Sequence, residues 1–423
     1  METAQAIIND VFTFNAVIVL RLSNGPSEET LKKLLEYLPR RHPLLRAHIQ
    51  KEKGRYFFVP GSTPGIPLHI IERQNNRHWQ EVVEGELHRK FDLFTGPLVC
   101  FTLLKGDENT GENEIIITFQ HSIIDAVSGA SLIHEILTAC GEIESRGFFS
   151  LPILPPAESL FPFSFKGIWR KWHMVLFMLR QMGDEFHFRL GSKGKRKPPI
   201  HPAGQNKILP MKLSKETTAA LSKCSRKKRI TLNNLLTASL LMAVHKHLYQ
   251  GVEMPLRHIN TADLRPYLNP SPDGHNLGSY FAMMRFTVKM KEKPQLWPLA
   301  KEIHDHTYFS LKKGDKFCAS LLSLLMMRAL FRFKSFRLSN TAMSFTGPLS
   351  IGKTYGKMEV QDIHAYVSNF VLGAEFTATG RIFDNHLYWD IQYLDSDMDA
   401  AQARLIADEI RAILESAARE GLE

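Results

Sequence analysis

Apolar and polar positions follow two periods along this chain, and the switches between them mark its elements. Residues 11–22, VFTFNAVIVLRL, form a β-branched apolar run that predicts a strand. Asn24, Gly25 and Pro26 end it, and Ser27 with Glu29 or Thr30 opens a helix over EETLKKLLEYL. Trp79, Val82, Val83, Leu87 and Phe91 recur at helical spacing within 77–91. LVCFTLL (98–104) and EIIITF (114–119) read as strands joined by the turn-rich KGDENTGEN, and a first lobe is expected to end near residue 145. Prolines then cluster over 151–163, and GSKGKRKPP (191–199) is basic and rich in breakers, so 150–205 reads as a crossover. Inside it Phe165, Ile168, Trp172, Val175, Leu179, Met182 and Phe186 fall on one helical face.

The second lobe opens with a strand at 207–213 and a helix reaching Cys224. TLNNLLTASLLMAVHKHL follows as a strongly apolar helix with Thr231 at its N-cap. Strands are expected at 257–262, 280–288, 374–382 and 386–394, and the chain closes with an amphipathic helix. The alternation gives an α/β fold with an N-terminal lobe over 1–149, the crossover over 150–205 and a C-terminal lobe over 206–423.

With 423 residues, 44% apolar and 23% charged, the chain is long enough for two cores. Lys and Arg number 53 against 43 Asp and Glu, a net +10 that favours anionic partners: phosphate-bearing cofactors, acidic proteins, anionic lipid or nucleic acid. Nothing in the pattern resembles a nucleic-acid-binding motif, so that partner is discounted. The four cysteines, Cys100, Cys140, Cys224 and Cys318, form no C-x-x-C pair and fit a reducing cytoplasm. The start, METAQAIIND, is acidic and lacks the apolar run of a secretory signal, and no stretch reaches the roughly 18 unbroken apolar residues of a membrane span. A monomer is expected.

Candidate chemistry concentrates in TFQHSIIDAVSG, 118–129. His121 stands just past a strand end, where side chains are delivered to functional clefts, and is suited to take a proton near neutral pH. Asp125 has two possible duties, capping the helix that starts near Ala126 or holding the loop as a charge paired with an arginine. Taken alone, the H-x-x-x-D spacing favours a satisfied structural histidine over a catalytic one.

Six stretches in order, RRHPLLRAHI (40–49), FDLFTGPL (91–98), QHSIIDAVSG (120–129), TLNNLLTASL (231–240), NTADLRPYL (260–268) and SFTGPLSIGKTYG (344–356), resemble the condensation-domain superfamily. That group has the chloramphenicol-acetyltransferase-like fold and includes peptide-synthetase condensation domains, alcohol acyltransferases and wax ester synthases. The likeness runs from about residue 10 to 415. In the family pattern H-H-x-x-x-D-G, Gln120 stands for the first histidine and Ala126 for the glycine, while His121 and Asp125 match. SFTGPL is similar to the serine-asparagine-x-x-glycine-proline segment of wax ester synthases, without its asparagine.

The resemblance implies a two-lobed sandwich with an active-site tunnel between the lobes. It implies transfer of an acyl group from acyl-CoA or a phosphopantetheinyl thioester on a carrier protein, used as co-substrate with no bound cofactor and no metal. His121 would be the general base, with no covalent intermediate, and no G-x-S-x-G nucleophile motif is present. Arg265 is the candidate partner of Asp125, and Ser344, Thr346 and Asn234 are candidate donors to the oxyanion. An alcohol acceptor is favoured. The alternatives are amide formation on carrier-bound substrates and a non-catalytic ligand-binding member.

Other residues read as structural: His42 as a packing or capping group, Asp92 and Gly96 as a turn, His245 and His247 as too poorly aligned to share a metal, and Met283, Met284, Met326 and Met327 as core. Helices at 165–190 and 316–338 mix Phe, Leu and Met with Lys and Arg, which suits a membrane interface, an acyl entrance or packing on the sandwich. The basic stretches 193–197 and 226–229 suit the phosphates of coenzyme A, an acidic carrier protein or anionic lipid.

Overall fold

A computed structural model of the protein describes residues 12–53, 55–106, 111–141, 149–194, 204–332 and 337–420. The expected lobe end near 145, the acidic start of the chain and most of the basic stretch 193–197 lie outside the described residues. The chain first runs through β1 (Asn15–Ser23), α1 (Glu28–Arg41), β2 (Ala47–Glu52), β3 (Arg55–Pro60), β4 (Leu68–Glu72), α2 (His78–Glu86), β5 (Val99–Lys105), β6 (Glu112–Gln120) and α3 (Ala126–Gly141). It continues through α4 (Gly167–Gly191), β7 (Asn206–Leu209), α5 (Lys215–Lys227), α6 (Leu232–Leu248), β8 (Met254–Asp263), β9 (Phe281–Met290), α7 (Leu296–Lys312) and α8 (Asp315–Arg332). It ends with β10 (Thr341–Pro348), β11 (Thr354–Tyr355), β12 (Met358–Val367), β13 (Phe376–Phe383), β14 (His386–Leu394) and α9 (Ala400–Glu420).

These elements form two compact units. The first comprises residues 1–160, 268–280 and 348–368, and the second 161–267, 281–347 and 369–423. The expected crossover therefore divides after Leu160, with α4 in the second unit, and two later segments return to the first. One of these returns has a clear cause: β12 pairs antiparallel with β1, so β1 is an interior strand only because the chain comes back.

In the first unit the sheet order is β11-β12-β1-β6-β5-β4. β1 lies antiparallel between β12 and β6, and Val17, Val19, Leu20 and Leu22 along it are buried. Ser27 caps α1 by accepting from the Thr30 amide at 3.1 Å, and Leu31, Leu34, Leu35 and Leu38 form its buried face. His42 is buried with Nε2 3.2 Å from Glu135, so its role is structural as expected. The turn after Phe91 is held by Asp92, whose carboxylate accepts from the amides of Phe94 and Thr95 and from the Thr95 hydroxyl. Gly96 follows at φ +65°, and a Cβ there would stand 2.8 Å from the Ala47 carbonyl oxygen.

The second unit is built on a sheet of order β7-β14-β13-β10-β8-β9. Its core joins Leu236, Leu240 and Val244 of α6 to Ile406 and Ile410 of α9 and to Trp389 and Ile391 of β14. Thr231 caps α6 as predicted, accepting from the Asn234 amide at 3.3 Å. His245 bonds to the Val252 carbonyl and His247 to Glu409, so the two rings serve different partners. Met284 and Met327 are buried, and Met283 and Met326 are partly so. Among the described residues no helix is long and apolar enough to cross a membrane.

Candidate active site

β6 is buried from Glu114 to its last residue, Gln120, whose amide donates to the Leu98 carbonyl at 2.9 Å. Beyond it the chain turns over His121–Ile124 and enters α3 at Ala126. Two contacts fix His121 in this turn. Its amide donates to the Phe14 carbonyl at 3.0 Å, and its ring stacks on Phe14 with centroids 5.1 Å apart and planes 20° from parallel.

The tautomer follows from the third contact. Nδ1 lies 2.9 Å from the Ile124 carbonyl oxygen, which can only accept. Nδ1 therefore carries the proton, and Nε2 holds the basic lone pair. Burial pushes the imidazole below its ordinary pKa, against the Ile124 hydrogen bond and the Asp125 charge, which act to raise it. At neutral pH His121 is an uncharged base.

Asp125 performs the capping duty. Its Oδ1 accepts from the Ser128 amide at 2.9 Å and the Ser128 hydroxyl at 3.0 Å, at the N-terminus of α3 where a negative charge is favoured. Oδ2 reaches elsewhere and accepts from the Tyr280 amide at 2.8 Å, tying residues 268–280 of the first unit to this helix start. Gln120 shapes the turn from inside: its Oε1 accepts from the Ser122 amide at 2.9 Å and from the Ser122 hydroxyl. Ala126 occupies the first turn of α3, an ordinary helical position in which a glycine is not required.

The remaining candidates lie in the second unit. Arg265 is buried, and both its amide and its Nη1 donate to Asp263 Oδ1, at 3.1 and 3.3 Å. Ser344 on β10 accepts from the Thr261 hydroxyl of β8 at 3.0 Å, and Thr346 donates to the Gly380 carbonyl at 3.2 Å. Asn234 is buried in the first turn of α6 with its amide nitrogen 3.1 Å from His304 Nδ1. His121 and Asp125 share one loop of the first unit, and Arg265, Ser344, Thr346 and Asn234 belong to the second.

Sequence reasoning did not single out Phe14, Ser128 or Tyr280. Ser128 was open to detection, because an acid followed three residues later by a hydroxyl before an apolar run is a capping pattern. Tyr280 contributes a backbone amide from 155 residues away and leaves no mark in the sequence. The four cysteines are free thiols. Burial pushes Cys100, Cys140 and Cys318 up to about 12, so none of these three is a thiolate at neutral pH.

Two family models match successive parts of the chain: the condensation domain over residues 9–156 and the phthiocerol/phthiodiolone dimycocerosyl transferase C-terminus over 204–380. No curated protein sequence matches. Among solved structures, trichothecene 15-O-acetyltransferase from Fusarium sporotrichioides is similar at TM-score 0.78 and 12% identity, over 98% of this chain and 94% of that one. Polyketide synthase associated protein 5 from Mycobacterium tuberculosis is similar at 0.72 and 15%, over 99% and 97%. The epimerization domain from the third module of tyrocidine synthetase B is similar at 0.68 and 14%, over 100% and 96%. At these identities the structures speak for the fold, and the family models add the sequence signal. Residues 9–156 thus carry the sequence signal of a condensation domain and 204–380 that of the dimycocerosyl transferase C-terminus, and the chain has the two-lobed fold that these solved structures share.

Proposed function

We propose that the protein transfers an acyl group from a thioester, acyl-CoA or a phosphopantetheinyl carrier, to an alcohol, with His121 as general base. The observation that carries this reading is the fixed tautomer of His121, which leaves Nε2 as the lone pair on a neutral imidazole. Nε2 takes the proton of the acceptor hydroxyl as its oxygen bonds to the thioester carbonyl carbon. The tetrahedral intermediate collapses, the carbon–sulfur bond breaks, and the departing thiolate takes the proton back from the imidazolium. The protein forms no covalent bond in this sequence, consistent with buried cysteines that stay protonated. The alcohol acceptor is supported by the fold shared with an O-acetyltransferase.

The test is thiol release from acyl-CoAs of graded chain length in the presence of mixed alcohols and amines, with products identified by mass. His121→Ala should lower turnover by roughly a hundred- to ten-thousandfold while the fold stays intact by circular dichroism. Because the ring's pKa lies below its ordinary 6.5, wild-type kcat/KM should be flat at neutral pH and fall only as pH drops below that value. Turnover by His121→Ala at the wild-type rate would overturn the assignment, and amide products alone would replace the alcohol with an amine.

A further inference from the structure

Helix α4 is amphipathic in the wrong direction for a helix that packs on a sheet. The stripe Ile168, Trp172, Val175, Leu179, Met182 and Phe186 is exposed, with Trp172 at 60%, Met182 at 68% and Phe186 at 66%. Trp169 beside it is 68% exposed, and Phe163, just before the helix, 89%.

The side toward the second unit buries only Phe177 and Phe188, and half-buried polar groups beside them hold it there. Arg257 of β8, 1% exposed, donates to Glu185 at 2.8 Å and to Asp184 at 3.1 Å, and its guanidinium lies 3.8 Å from the centre of the Phe188 ring. Arg285 of β9 donates to Gln181 at 2.9 Å, and Thr287 to Asp184 at 3.0 Å. Arg180 pairs with Asp315 at the start of α8. Buried charge pairs of this kind fix the rotation of a helix, since turning the apolar stripe inward would strand Arg257 without its acids.

We propose that α4 is an in-plane membrane anchor whose outward apolar face enters the interface of an anionic lipid bilayer. A 25-residue helix is about 37 Å long and displays this face over most of its length. Two tryptophans near its N-terminal end belong to the residue type enriched at the boundary between headgroups and acyl chains. Lys166, Arg170, Lys171 and Lys193 are exposed around it, while its two acids, Asp184 and Glu185, are turned to Arg257. That charge pattern selects the occupant: a second copy of the chain would bring the same basic rim against itself, whereas anionic headgroups complement it. The face suits an enzyme whose acyl donor or acceptor resides in lipid, but the anchor stands independently of the transfer reaction.

The experiment is co-flotation of the whole protein with vesicles of phosphatidylcholine alone and of phosphatidylcholine mixed equally with phosphatidylglycerol, together with tryptophan emission. Wild type should float with the mixed vesicles and shift its emission to the blue. Met182→Glu with Phe186→Glu should abolish flotation with the melting temperature unchanged, because both side chains stand in solvent. Lys166→Glu, Arg170→Glu and Lys171→Glu together should weaken binding to the anionic vesicles by at least roughly a hundredfold. His121→Ala should float as wild type does, which separates this result from any failure of the transferase reading. Wild type remaining unbound to either vesicle would overturn the proposal. So would a concentration-dependent dimer dispersed by Met182→Glu with Phe186→Glu, in favour of a second copy.

Discussion

At the scale of the residue, the loop between β6 and α3 shows how one carboxylate serves two backbone partners. Asp125 presents Oδ1 to the Ser128 amide and Oδ2 to the Tyr280 amide, both of which are donors. An asparagine of the same shape has a single acceptor. Whichever way its amide is turned, its NH2 group must meet one of those two N–H groups in a buried place, so one hydrogen bond is lost and one donor is left unsatisfied. Asp125→Asn should therefore cost about 1–3 kcal/mol of stability by denaturant titration. It should also lower the transfer rate, because the same loop holds His121 through the Ile124 carbonyl. Wild-type stability combined with lost activity would instead give the carboxylate a direct chemical role.

At the scale of the element, the helices were legible where a cap and a stripe coincide, as at Ser27 with Leu31, Leu34 and Leu38, and at Thr231. β12 was not, because Glu359, Gln361 and Asp362 interrupt its alternation and the register against β1 shifts beside Gln361. α4 teaches a different lesson. Periodicity revealed its apolar stripe but not the direction in which it points, which is set by Arg257 and Arg285 from strands distant in sequence. The parallel pairing of β8 with β10 hides another polar lock. His258 is fully buried, with Nε2 3.2 Å from Asn260 Oδ1 and Nδ1 2.7 Å from the Thr341 hydroxyl. Burial depresses its pKa from 6.5 to about 4, against the Asn260 hydrogen bond. Between those values the unfolded chain takes up a proton that the folded one refuses. The stabilisation is fully present above pH 6.5 and is lost as pH falls through the window, by about 3 kcal/mol in all. The stability of His258→Gln should consequently fall less than that of wild type between pH 7 and pH 4.5; equal losses in the two proteins would mean that the ring is not held neutral.

At the scale of the whole molecule, the two units are interleaved in sequence, and this is where the sequence reading was least able to see. A contiguous lobe over 1–149 looks self-sufficient by its pattern, yet its sheet needs β12 from 358–367 beside β1, and its His121–Asp125 loop takes the Tyr280 amide. Nothing local announces either debt. Without β12, β1 would become an edge strand, with the row of backbone N–H and C=O groups that now pair over Ala16–Ser23 left open. Without residues 268–280, Asp125 Oδ2 loses the Tyr280 amide at the head of α3. A fragment ending at Leu160 therefore contains most of the first unit's residues but lacks both closures. It should show no cooperative thermal transition by circular dichroism, whereas the full chain melts cooperatively. Adding a peptide covering residues 348–368 in trans should restore part of the transition, since it supplies the missing neighbour of β1. A fragment that melts cooperatively on its own would show that β6 and the helices suffice to hold β1, and that the later segments only decorate the unit.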